Sequence, residues 1–325
     1  VWAILVQNAE TTEVEARVLD MRILLTGASG FVGRHALTSL ASAGVEVHAV
    51  SRCARAHEKG VDWHRADLLQ SGVADALIKE TRPDCILHLA WCVEHGKFWT
   101  DPSNLGWVAA TMRLASAAAE YGVGRFVGVG TCYEYDWPGD APCDEYRTPV
   151  ASHALYDTSK DACRRVLEAR FTGGETNFAW ARLFFLYGPH EAPNRLVPSV
   201  VRNLIEGKAA PCSRGMAVRD FMDVRDAGAA LASLALSKVE GPVNIGSGDG
   251  HSIAEVASKL GELSGRPELV RIGELPDRSG EPPFIVANVG RLRGEVGFRS
   301  TYSLEDGLSD TLHFWRMQTG GEAIQ

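Results

Sequence analysis

Short apolar runs and helical patterns alternate along this chain in a repeating order. From Met21, RILLT is an apolar run that breaks into closely spaced glycines, which predicts a buried strand and a tight turn. ALTSLASAG continues as a helix stopped at Gly44, and VEVHAV is a second strand through Val50. VDWHRADL (61–68) predicts a third strand with its exit loop. A helix over 72–80 closes before Pro83, and CILHLA (85–90) is a fourth strand. An Ala-rich helix lies within 103–121, and RFVGVG (125–130) is a fifth strand. Such alternation predicts an α/β fold, a parallel sheet covered by helices on both faces.

Beyond 131 the pattern loosens into a loop, TCYEYDWPGDAPCDEYRTP. A helix from about 154 to 171 and a strand over 177–186 follow, then a helix over 197–206 and the helix AGAALASLAL. Ser252 with Glu255, and Ser303 with Asp306, read as helix starts. The expected organisation is a nucleotide-binding unit over 21–187 and a smaller substrate lobe over 188–325, with 219–245 returning to the first unit. Residues 1–20 open on an apolar run of only a few residues, have no basic start and then contain several acids, so they are expected to be a poorly ordered or misassigned extension of a folded unit that starts at Met21.

Composition narrows the partners. The 325 residues carry a net charge of -8 with no basic stripe, which argues against a nucleic-acid backbone as ligand. No apolar run approaches the roughly 18 residues of a membrane span. The seven cysteines are odd in number and form no CxxC, so neither a disulfide framework nor a metal site is expected, and a cytoplasmic setting fits.

Gly27, Gly30 and Gly33 have the spacing GxxGxxG between a strand and a helix. That arrangement suits a Rossmann-type, doubly wound sheet, with a dinucleotide pyrophosphate on the free N–H groups of the helix start. The tip of the second strand reads AVSRC. An acid there would select the ribose of NAD; Ser51 and Arg52 instead suit a 2′-phosphate, so NADP(H) is favoured and NAD(H) is possible. Further on, YDTSK sets Tyr156 and Lys160 at i and i+4, which on a helix share one face.

TGASGFVG, ADL (66–68), HLAW (88–91), YDTSK, RLFFLYGP (182–189) and RDFMDVRD (219–226) occur in this order. Together they resemble the extended short-chain dehydrogenase/reductases of the nucleotide-sugar epimerase, dehydratase and ketoreductase branch. The resemblance implies a dinucleotide held by Gly27, Ser29, Gly30, Phe31, Val32 and Gly33, by Ser51 and Arg52, and by Asp67 and Leu68 at the adenine. Leu89, Ala90 and Trp91 would lie on the nicotinamide side, and Lys160 would reach the ribose. It implies Thr131, Tyr156 and Lys160 as the catalytic set, with a homodimer built on the Ala-rich helix and the helix after 154. A carbonyl that receives hydride needs a proton, and a lysine ammonium favours the phenolate of a tyrosine whose ordinary pKa is near 10.

The departures bear on the reaction. Dehydratases of this branch place an Asp-Glu pair directly after the active-site Thr; here those positions are Cys132 and Tyr133. Glu134, one residue later, is expected to face away. What remains is a 4-ketoreductase acting on a nucleoside-diphosphate 4-keto-6-deoxyhexose, or a 4-epimerase that keeps NAD bound. A dinucleotide-binding sensor without catalysis is a third reading. The GTCYEYDW segment has some resemblance to sequences of deoxysugar pathways. Cys92, Cys132, Tyr133, Asn194, Arg195 and Arg219 are the expected substrate contacts, with Tyr135, Phe184 and Tyr187 as further aromatic walls. Arg219 suits a diphosphate, and a buried pair with Asp220 or Asp223 is the alternative.

Overall fold

The computed structural model describes residues 21–56, 59–137, 139–277 and 279–321. The expectation made for residues 1–20 lies outside them. Strands β1 (Arg22–Thr26), β2 (Glu46–Ser51), β3 (Val61–Arg65), β4 (Cys85–His88), β5 (Arg125–Thr131) and β6 (Asn177–Leu183) follow one another as the apolar runs predict. The expected strand 177–186 is divided. After Leu183 the chain leaves the main sheet: Phe184 donates its N–H to Ile245 O, and β7 (Phe185–Tyr187) pairs in a second sheet. β8 (Ala210–Cys212) and β9 (Val218–Asp223) also lie outside the main sheet, and β10 (Gly241–Ile245) returns to it beside β6.

The seven-stranded sheet has the order β10-β6-β5-β4-β1-β2-β3, with every pairing parallel. Its order reverses between β1 and β4, and the crevice at the carboxyl ends of those strands is where open α/β sheets bind ligands.

Helices α1 (Gly33–Ser42), α2 (Val73–Thr81), α3 (Ser103–Glu120), α4 (Leu155–Phe171), α5 (Leu196–Ile205) and α6 (Val224–Leu236) complete the layers. Successive strand residues point to opposite faces, which is why RILLT is apolar throughout. Ile23 and Leu25 pack with Ala36, Leu40 and Leu231 under α1 and α6. Leu24 packs with Leu77, Leu114 and Leu167 under α2, α3 and α4. Helices α7 (Ile253–Ser264), α8 (Gly290–Gly294) and α9 (Leu304–Gly321) follow. Val201, Leu260 and Leu312, from α5, α7 and α9, share a third core that carries the far wall of the cleft. The α7 start is the capping box the sequence predicts: Ser252 Oγ accepts the Glu255 N–H at 3.1 Å, and Glu255 Oε2 accepts the Ser252 N–H at 2.7 Å. No helix among the described residues is long and apolar enough to cross a membrane.

Candidate active site

A cleft of about 890 Å³ opens at the switch point, and every residue singled out from the sequence for cofactor, substrate or catalysis lines it, the aromatic Tyr135 excepted. At its floor, Gly27 has φ +70°, and a Cβ there would stand 2.8 Å from the backbone nitrogen of Ala90. A Cβ at Gly33 would stand 2.0 Å from Gly27 O, so the turn closes against its own helix only with glycine at both positions. Helix α1 begins with no side-chain cap and no acid in its first turn; the Arg34 and His35 N–H groups close back on Gly30 O and Val32 O, and the positive end of the helix faces the glycine turn. A cradle of bare backbone with a positive helix end fits a dinucleotide pyrophosphate.

Cations gather at the tip of β2. Ser51 Oγ lies 3.3 Å from Ser29 Oγ, and Arg34 donates to Ser29 O at 3.3 Å. Burial and then the like charge of Arg55 lower the Arg34 pKa. Arg52, exposed, lines the cleft beside them. Arg34 and Arg55 carry no local sequence signal for this site, because only the fold brings the start of α1 to the loop after β2.

Tyr156 and Lys160 lie one turn apart on α4, both buried, and the Thr131 side chain is close enough to the Tyr156 phenol to help draw its pKa down. Lys160 Nζ donates to Val129 O at 2.8 Å and sits 3.8 Å from the ring centre of Trp91. Desolvation lowers the Lys160 ammonium to about 8. In the protein alone, desolvation and then the charge of Glu134 raise the Tyr156 phenol above its ordinary value. This differs from the expected lowering by lysine: the ammonium is turned toward Trp91 and Val129, and the phenol holds its proton.

Glu134 explains the geometry of Thr131. Its Oε1 accepts the Thr131 N–H at 2.9 Å, closing a single 3₁₀ turn over Cys132–Glu134. Its Oε2 accepts from Arg182 Nε at 2.8 Å and from Trp180 Nε1 at 3.0 Å. A Cβ at Gly130 would lie 2.0 Å from that carboxylate, so the GVG of β5 is the space this anchor occupies. The acid nearest Thr131 is therefore sealed behind the strand. Cys132 and Tyr133 line the cleft in the two positions before it, each held protonated by burial, Tyr133 pushed up to about 12.

On the opposite wall, Arg219 stacks against Phe185, with Nη2 3.0 Å from Glu281 Oε1. That nitrogen makes no hydrogen bond, because its N–H vectors miss the carboxylate. The alternative pairing with Asp220 or Asp223 is not formed. Asp220 accepts from the N–H groups of Ser247, Gly248 and Ala287, while Asp223 holds Arg225 at 2.8 Å. Tyr135 is not a cleft wall: its hydroxyl donates to Asn244 at 2.7 Å in the core, where Arg182 holds it at 2.9 Å. Phe184 and Tyr187 line the cleft. His88 bridges Thr26 and Thr111 at 2.7 and 3.0 Å, a structural tie between β1, β4 and α3.

Residues 23–246 match the NAD dependent epimerase/dehydratase family. The chain belongs to this family. It is an extended short-chain dehydrogenase/reductase of the nucleotide-sugar branch, a nucleotide-sugar-modifying enzyme of the NAD(P)-dependent type. It is 25% identical to the UDP-glucose 4-epimerase of Rhizobium meliloti (strain 1021), over 87% of this chain and 93% of that protein. It is 27% identical to a dTDP-glucose 4,6-dehydratase of an Actinoplanes species, over 91% and 98%. The solved UDP-glucose 4-epimerase of Thermus thermophilus, a complex with NAD, superposes with a TM-score of 0.79 at 26% identity, covering 91% of this chain and 99% of that one.

Three further features of the cleft are additional to those expected from the sequence. Phe98 and Trp99 pack edge-on against Tyr156, with ring centres 4.8 and 5.9 Å away, and Trp99 meets Tyr133 at 4.6 Å. Glu281 reaches Arg219 from a distant loop. Glu191, buried in the cleft, is raised to about 8 by desolvation although Arg195 lies 3.1 Å away and pulls it down. The aromatic pair had a signal in the sequence, since HGKFWT closely follows the HLAW motif; the two carboxylates had none.

Proposed function

We propose that this enzyme uses NADPH to reduce the C4 keto group of a nucleoside-diphosphate 4-keto-6-deoxyhexose. The observation that carries the reading is a cleft that brings Thr131 beside Tyr156 and lacks, in the two positions after Thr131, the acid pair of a dehydratase. Cys132 and Tyr133 hold those positions, and Glu134 is sealed on Arg182. The cations at the tip of β2 support a 2′-phosphate, and hence a cofactor that is spent and exchanged at each turnover.

The bound nicotinamide would supply hydride to the substrate carbonyl. The chain's own residues do the rest. Gly27, Ser29, Gly30 and the start of α1 at Phe31–Gly33 hold the pyrophosphate, with Ser51 and Arg52 at the ribose phosphate. Asp67 and Leu68 flank the adenine, and Leu89, Ala90, Trp91 and Lys160 hold the nicotinamide half. Thr131 and Tyr156 present adjacent hydroxyls to one oxygen, and Tyr156 gives up its proton as negative charge develops there. A phenol raised by burial keeps that proton until the charge appears, which suits the reductive direction. Arg219, whose Nη2 faces Glu281 without a hydrogen bond, takes the diphosphate, and Arg195, Asn194, Cys92 and Tyr133 border the sugar. A homodimer through α3 and α4, where Leu105 and Val166 are exposed, completes the proposal.

The test is purified protein with NADPH and a panel of dTDP-, CDP-, GDP- and UDP-linked 4-keto sugars, followed by the loss of reduced-nicotinamide absorbance and by NMR of the product. Stoichiometric oxidation with one new C4 stereocentre is expected. Interconversion of 4-hydroxy sugars with no net cofactor consumption would replace the reductase with a 4-epimerase, the activity named for two of the relatives above.

A further inference from the structure

The strands β2 and β3 begin with the same pattern, an acid two residues before a histidine: EVH at 46–48 and DWH at 62–64. Parallel pairing sets His48 opposite Asp62 and Val50 opposite His64. Glu46, His48, Asp62 and His64 therefore share one face at the sheet edge. None of them lines the cleft, which opens at the other end of these strands.

The contacts form a chain. His48 Nε2 is 3.0 Å from Glu46 Oε1, His48 Nδ1 is 3.0 Å from His64 Nε2, and His64 Nδ1 is 3.6 Å from Glu80 Oε1. Two neutral imidazoles carry two protons. The nitrogen-to-nitrogen contact uses one, and each of the two carboxylate contacts asks for another, so the chain is one positive charge short. The shortage falls at the Glu46 end. His48 is 8% exposed, and its Nε2 is buried without a hydrogen-bond partner despite the nearby carboxylate. A buried nitrogen facing an anion unbonded is costly unless a cation lies between them.

We propose that Glu46, His48 and Asp62 bind a divalent transition metal of the zinc class. Their donor atoms lie within 4.8 Å of one another. His48 Nδ1–H donates to His64, whose own Nδ1–H faces Glu80, and this fixes the tautomer that offers the Nε2 lone pair to the metal. The two carboxylates, both exposed, swing in to complete a set of one nitrogen and two oxygens, with water in the remaining position. The ion would tie the edge strand β3 to β2 by bonds stronger than the ladder they share.

The test titrates metal-free full-length protein with zinc chloride by calorimetry and with cobalt chloride by visible absorption. One ion per chain is expected, with the visible bands of a low-coordinate cobalt site. Asp62→Asn, at an exposed position that does not threaten folding, should weaken binding roughly tenfold or more, and His48→Gln should do the same where it folds. Turnover at the cleft should be unchanged in Asp62→Asn. The proposal is overturned if zinc does not bind stoichiometrically, or if Asp62→Asn binds it as tightly as the parent, which would place the ion on other cysteines or histidines. A histidine pair that carries the missing charge as an extra proton, with no metal affinity, also overturns it.

Discussion

Glu134 and Arg182 form an ion pair of 2.8 Å with both side chains sealed from water, one residue layer behind the cleft. The pair fixes the turn that aims the Thr131 hydroxyl, because the same carboxylate holds the Thr131 N–H. Neutralising one member leaves the other charge buried and uncompensated, a cost of about 3–5 kcal/mol. Glu134→Gln should therefore lower the unfolding free energy measured by urea titration by an amount of that order. An acid that worked on substrate would behave otherwise, losing turnover at unchanged stability, and that outcome would reopen the dehydratase reading.

Tyr156→Phe removes the hydroxyl proposed as proton donor and keeps the ring between Phe98 and Trp99. Turnover should fall by roughly 10²–10⁴-fold while the dissociation constant for NADPH changes little. Substantial retained turnover in single-turnover kinetics would dismiss Tyr156 as the donor.

Lys160 links function to stability through pH. Its ammonium titrates at about 8 in the folded chain against 10.5 for the ordinary lysine. Between those values the unfolded chain holds a proton that the folded chain has released, so stability rises with pH across this window. The contribution is about 3 kcal/mol in all. Urea unfolding at pH 7 and at pH 10 should show the parent gaining on Lys160→Met, and a gap independent of pH would refute the assignment. In the parent, kcat/KM should decline as pH rises through about 8 and the ammonium is lost.

Arg52→Ala should weaken NADPH by roughly ten- to a hundred-fold, the worth of one charge-assisted contact, and barely affect NADH. Equal losses for both, measured by fluorescence titration, would withdraw the 2′-phosphate assignment. Arg34 and Arg55 moderate the effect, since each leaves a cation near the same ribose.

The sequence displayed whatever is local. Strands, helix starts and the glycine turn are written in periods of two or of three to four residues, and the main-sheet strands fall close to the apolar runs. YDTSK is legible because its two chemical groups share one helix face. The pairings of Glu281 with Arg219, and of His48 with Asp62, are not legible, because sheet order and loop closure create them across long stretches of chain. The break at Phe184 is hidden for a related reason: LFFLY (183–187) is apolar throughout, and only the competing partners β10 and β9 decide where one sheet hands the chain to the next.

The backbone N–H of Tyr156 is held by the carbonyl of Trp99 at 3.1 Å, in the loop after β4. The loop after β4, whose Trp99 lines the cleft, therefore also suspends the first turn of the helix that bears Tyr156. Efforts to re-engineer this scaffold for bulkier substrates should leave residues 98 and 99 in place and carve space from the side of Leu275 and Pro276, which line the cleft from a different stretch of chain.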